Sequence, residues 1–96
     1  MKESDYQSGL CKRIEERIPG ALIMKTDPSF LQGIPDLLIV KEKKWAALEV
    51  KKDKKAPHRP NQDFYVKKMN DWSYAAVIFP ENEKEVIDEL ERAFAT

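Results

Sequence analysis

Gly33-Ile-Pro-Asp-Leu-Leu-Ile-Val40, then Lys41-Glu-Lys-Lys44, then Trp45-Ala-Ala-Leu-Glu-Val-Lys51 is the stretch that decides the fold. Its two apolar halves, Asp36 to Val40 and Trp45 to Lys51, read as strands, and the lysine-rich link between them reads as a hairpin turn. An antiparallel hairpin of this length sets Asp36 and Glu49 side by side at one end of a small sheet. Lys51 follows Glu49 by two residues and projects from the same face. Val50, between them, turns its side chain to the core and leaves its backbone carbonyl toward the site. Pro35 is tolerable at a strand start, where no ladder donor is needed. Gly33 allows an unusual backbone angle or a close approach.

Two carboxylates among Leu37, Leu38, Ile39, Leu48 and Val50 are costly to bury together without a cation. Hard oxygen ligands select Mg²⁺ or Mn²⁺ over zinc. An ammonium beside them can orient the water that attacks a phosphodiester and steady the developing charge. Asp36, Glu49 and Lys51 are therefore the candidate catalytic set. Asp36, Glu49 and the Val50 carbonyl are the candidate metal ligands.

Outward from the hairpin, Glu3 to Ile18 reads as a helix, with Ser4 able to cap its start and Pro19-Gly20 ending it. Tyr6, Leu10, Ile14 and Ile18 form one apolar stripe. At roughly 100° per residue, Glu3 projects onto the centre of that stripe with Gln7 beside it, whereas Glu15 and Glu16 turn away. Ala21 to Thr26 reads as a first strand, broken by Asp27-Pro28-Ser29. Lys52 to Pro60 is a charged loop. Asn61 to Asp71 reads as a helix turning Tyr65, Val66, Met69 and Trp72 inward. Tyr74 to Phe79 reads as the buried centre of the sheet. A last helix begins at Asn82 or Glu83, with Val86, Ile87, Leu90 and Phe94 on one face. The order α-β-β-β-α-β-α predicts a single α/β domain over residues 1–96, with helices flanking a mixed sheet.

Composition bounds the partners. Ninety-six residues with 42% apolar content suit one folded domain. No apolar run nears the ~20 residues of a membrane span, and the first residues lack a signal peptide's apolar segment. The lone Cys11 excludes an internal disulfide, so a reducing, cytoplasmic setting is expected. Net charge is zero, yet Lys41 to Arg59 holds eight bases against three acids, and Glu81 to Arg92 holds six acids against two bases. The basic block is expected to surround the site and to suit a phosphate backbone. Lys25, Lys52, Lys54, Lys55, His58 and Arg59 are its candidate contacts. His58 is the only histidine, so a zinc site is not expected. Trp45 and Trp72 read as core or interface aromatics.

Pro35-Asp36 followed by Glu49-Val50-Lys51 resembles the PD-(D/E)xK nuclease signature. Gly33-Ile-Pro-Asp-Leu-Leu, then Leu-Glu-Val-Lys51, then Gln62, resembles the virus-type replication-repair nuclease (VRR-NUC) family from about Glu3 to Phe79. The resemblance implies a PD-(D/E)xK core and a Mg²⁺- or Mn²⁺-dependent DNA endonuclease. Stand-alone members of this kind are expected in bacteria or phage-infected cells, as homodimers resolving Holliday junctions during repair. In the family pattern a glutamine opens the helix after the E-x-K strand, the place of Gln62, and a glutamate opens the first helix, the place of Glu3. A monomeric flap or nicking nuclease and a non-catalytic DNA-binding module are the alternatives. Tyr6, Phe30 and Trp45 are the candidate dimer anchors.

Overall fold

The Lys41–Lys44 link is a tight turn, and its register carries the fold. In the computed structural model, which describes residues 2–95, Lys41 pairs with Lys44 and Leu37 with Leu48, so Glu42 and Lys43 alone make the turn. Glu42 takes a left-handed φ of 58° there. Strands β2 (Leu37–Lys41) and β3 (Lys44–Val50) form the hairpin. Strand β1 (Leu22–Lys25) adds antiparallel to β2, and β4 (Tyr74–Ile78) adds parallel to β3. The mixed four-stranded sheet has the order β1-β2-β3-β4. Helices α1 (Glu3–Arg17), α2 (Pro60–Trp72) and α3 (Glu83–Ala95) complete the expected order.

The stripe of α1 places Tyr6, Leu10, Ile14 and Ile18 against one sheet face. They meet Leu37, Ile39, Leu48, Val50 and Ile78, and Val86, Ile87 and Leu90 of α3 close the core. Each such aliphatic side chain contributes about 1.5–3 kcal/mol by leaving water. Arg13 to Glu83 (2.6 Å) and Arg17 to Asp88 (2.6 Å) tie α1 to α3, so much of the acidity of α3 is neutralised by its neighbour. Helix α2 lies on the opposite face over β3 and β4. Among the described residues, no helix is long and apolar enough to cross a membrane.

Four expectations change. Helix α1 starts at Glu3 after Lys2, so Ser4 lies inside the first turn and its carbonyl takes the Ser8 hydroxyl (3.1 Å) instead of capping the end. The apolar strand β4 is an edge, and β3 is central. Its hydrophobicity reflects cover by α2 on one face and α3 on the other. Trp72 does not face inward but is 66% exposed. Tyr6 is no surface anchor: it is buried and donates its hydroxyl proton to Glu83 (2.8 Å).

Candidate active site

Asp36 stands one residue ahead of β2, opposite Glu49 if the Leu37–Leu48 register is extended. Its carboxylate Oδ2 accepts the Val50 N–H (2.8 Å), stitching the start of β2 to the end of β3. Its carbonyl accepts the Thr26 N–H (2.9 Å), and Pro35's carbonyl takes the Thr26 hydroxyl (2.6 Å). Thr26 carries no motif of its own, and only the strand pairing shows that it holds Asp36 in place.

Glu49 is 2% exposed and Lys51 is 7% exposed. Lys51 Nζ lies 3.4 Å from Glu49 Oε2 and donates to Gln62 Oε1 at 2.9 Å. The same Gln62 oxygen accepts the Arg59 N–H (3.1 Å), which fixes the first turn of α2. A side chain from α2 thus completes the hairpin's charged end. Val50 is buried in the core, as its strand position requires.

The electrostatics are those of crowded carboxylates. Burial pushes Glu49 up to about 7, and the charge of Asp36 adds to the shift while Lys51 opposes it. Burial also raises Asp36, against the Val50 N–H and the Lys51 charge. Glu3 is raised by its own partial burial and then by Asp36, with Lys51 and Lys52 opposing. Glu49 Oε1 is buried and finds no hydrogen-bond partner among the described residues. An unsatisfied carboxylate oxygen in such a place is costly, and a hard cation is the group that would satisfy it. Among the described residues no three or more His, Cys, Asp or Glu side chains converge on one point. The donor set is the Asp36/Glu49 pair, with Glu3 standing at the rim.

Glu3, Asp36, Lys51 and Gln62 line an open cleft of about 720 Å³, with Lys2, Lys52 and Arg59 along its walls. Lys2 is a basic wall residue that the sequence motifs did not single out. Lys52 and Arg59 are the members of the expected phosphate-contacting set that reach the cleft. Lys54 and Lys55 stand exposed on the loop beyond it, and His58 Nδ1 pairs with Asp63 at 2.9 Å. Lys25 lies on the α1 side of β1, where its charge only partly offsets the burial that raises the Cys11 thiol, and does not line the cleft. The expectation that the whole basic block surrounds the site also fails. Lys41, Lys43 and Lys44 belong to the hairpin tip, a full β3 length away, about 20 Å at 3.3 Å per residue.

No family model matches the sequence, and no curated protein does. Solved structures do match. One, a VRR_NUC domain protein, superposes with a TM-score of 0.73 at 17% identity, covering 99% of this chain and 89% of its own. A second, a VRR_NUC domain, gives 0.71 at 22% identity, covering 90% and 94%. The α/β fold is therefore the one these VRR_NUC domains share.

Proposed function

We propose that this chain, folded as a VRR_NUC domain, is a divalent-metal-dependent endonuclease for branched DNA and resolves four-way junctions as a homodimer. The single observation that carries this reading is the unsatisfied Glu49 oxygen, buried beside Asp36 and Lys51 behind a basic-walled cleft. Asp36 and Glu49, with the Val50 carbonyl, would hold Mg²⁺ or Mn²⁺. When bound there, the ion supplies Lewis-acid neutralisation of the phosphate.

The side chains account for the rest. Gln62 holds the Lys51 ammonium in place, so it arrives oriented toward the attacking water and the developing phosphorane charge. The new bond joins the water oxygen to phosphorus as that water releases a proton to solvent, the bond to the leaving ester oxygen breaks, and that oxygen takes up a proton from solvent. Glu3 faces the cleft at its mouth, where its carboxylate can orient a water. Lys52 and Arg59 grip the phosphates nearest the cut, and Lys54 and Lys55 extend the track outward.

One domain holds one such site, and symmetric incision of two strands calls for two. The sheet face that carries Glu49 also carries an apolar groove farther along, lined by Leu38, Val40, Trp45, Met69 and Trp72. Exposed Leu22 and Met24 continue the same face by register. Glu42, Lys43 and Lys44 rim it with both signs of charge, so two copies related by a two-fold axis can pair Glu42 with a partner lysine. Light scattering should give twice the chain mass without DNA.

The deciding assay is cleavage of a synthetic four-way junction, a flap and a linear duplex with Mg²⁺, Mn²⁺ or EDTA. Junction cleavage with either metal and none in EDTA is expected. No cleavage of any substrate would sink the enzymatic reading. Flap cutting by a strict monomer would replace the junction with the flap as substrate.

A further inference from the structure

We propose that Phe30, backed by Leu31, is a stacking wedge that receives an unpaired nucleobase at the edge of the cleft. The proposal rests on the branched-DNA reading above and names the part of the substrate that this loop takes. Phe30 is 90% exposed, and Leu31 beside it is 40% exposed. A bare phenyl ring in water forgoes the stabilisation that burial would bring.

The loop that displays the ring is not slack. The Asp27 carboxylate accepts the Ser29 N–H (2.9 Å), and the Asp27 carbonyl accepts the N–H groups of Phe30 (3.1 Å) and Leu31 (3.3 Å). Ile34 N–H returns to the Leu31 carbonyl (3.3 Å). At its base, the Thr26 bonds to Pro35 and Asp36 close the loop on the backbone of a proposed metal ligand. At its far side, Gly33 (φ +92°) fits so tightly against Asn61 that a Cβ would come within 2.7 Å. Asn61 adjoins Gln62, the residue that holds Lys51. The loop is therefore anchored on the backbone of Asp36 at one side and next to Gln62 at the other.

Pro28, two residues from Phe30, forms part of the cleft wall. Phe30 precedes Asp36 by six residues, which caps their separation at about 20 Å, and the turns within the loop shorten it. At about 3.4 Å per nucleotide, a base on the ring lies within roughly six steps of the cut phosphate. Every base offers a flat π-face to an aromatic ring, and Phe and Leu wedges part base steps in other DNA-binding proteins. Inside a continuous duplex those faces are already stacked. At a branch point they are open, and DNA gripped by Lys2, Lys52 and Arg59 would present its branch to the ring.

The test is fluorescence anisotropy in EDTA with a labelled four-way junction and a linear duplex, using wild type, Phe30→Ala and Phe30→Trp. Phe30→Ala should weaken junction binding about 5- to 150-fold, the range of one base–aromatic stack, and change duplex binding less than 2-fold. Phe30→Trp should restore the junction affinity. Equal losses on both DNAs, an unchanged junction affinity, or a fall in mass by light scattering would overturn the wedge, the last by making Phe30 a protein contact. Wild type that binds the junction but cuts nothing with Mg²⁺ or Mn²⁺ removes the nuclease reading and leaves the wedge to the affinity ratio. Wild type that binds neither DNA removes both.

Discussion

At one end of the β2–β3 hairpin, Lys51 lies 3.4 Å from Glu49 and both are nearly free of solvent. At the other, Glu42 and Lys43 turn the chain in open water between Lys41 and Lys44. The two ends use the same residue types. The tip charges are screened and contribute little. The site charges are desolvated and set against each other, a cost that packing alone gives no reason to bear. Composition cannot separate the two ends, but strand register does.

The comparison breaks first on catalysis. Asp36→Ala, Glu49→Ala or Lys51→Ala should lower cleavage by about 10³-fold or more, the scale of losing one charged group at a phosphoryl centre. Lys43→Ala at the tip should leave the rate unchanged wherever light scattering shows the dimer intact. Calorimetry with Mn²⁺ separates the roles: the carboxylate variants lose metal binding, and Lys51→Ala keeps it. Wild-type turnover by either carboxylate variant would end the site assignment.

DNA binding should show the same polarity with a smaller effect. Neutralising Lys52, Lys54, Lys55 and Arg59 together should flatten the salt dependence, by about 0.9 in log–log slope for each phosphate that the protein no longer neutralises. Neutralising Lys41, Lys43 and Lys44 should leave the slope as it is. A slope that falls equally in both variants would mean that DNA runs the length of the hairpin.

These contrasts mark how much was legible in sequence. The hairpin, the adjacency of Asp36 and Glu49 and the α1 stripe follow from period and turn signals, because side-chain alternation fixes which residues share a face. The Lys51–Gln62 hydrogen bond was only hinted at by a family pattern, since it depends on how α2 docks after a nine-residue loop (51–59). The edge position of β4 was misread because cover by two helices makes an edge strand as apolar as a central one. Tyr6 and Trp72 exchanged roles for a related reason. Periodicity assigns a helix face, but only packing decides whether a neighbour reaches that face, and α2 overhangs a sheet region that no element among the described residues covers.

Stability should also distinguish the ends. Glu49 titrates near 4.5 when unfolded and is pushed up to about 7 in the fold. Between those values the folded state holds a proton that the unfolded chain has released. Stability from this group therefore falls as pH rises through the window and levels off above about 7. Asp36 shifts in the same direction. In EDTA, wild type should lose up to about 3 kcal/mol relative to Glu49→Gln between pH 5 and 8, at about 1.4 kcal/mol per unit. Mg²⁺ should recover part of that loss at pH 8 and little at pH 5, because the ion needs the ionised carboxylate. Urea unfolding at the two pH values measures it. Parallel pH profiles for the two proteins would contradict the buried-carboxylate account.

The smallest effect belongs to the tip. Glu42 holds φ at 58°, a region that costs an ordinary side chain about 1–2 kcal/mol and glycine almost nothing. Glycine also adds about 0.5–1 kcal/mol of chain entropy to the unfolded state. The two terms oppose, so Glu42→Gly should stabilise the protein by about 0.5 kcal/mol and shift the urea midpoint slightly upward with no change in slope. Lys43→Gly, at the neighbouring residue, which does not take a positive φ, has no strain to relieve and should destabilise by a similar amount. Neither change should alter cleavage at protein concentrations that keep the dimer assembled, because the turn lies a full strand from Asp36 and Glu49. A rate change in either with the mass by light scattering unchanged would mean that the two ends communicate through the ladder, and a stabilised Lys43→Gly would mean that the strain sits at the other turn residue.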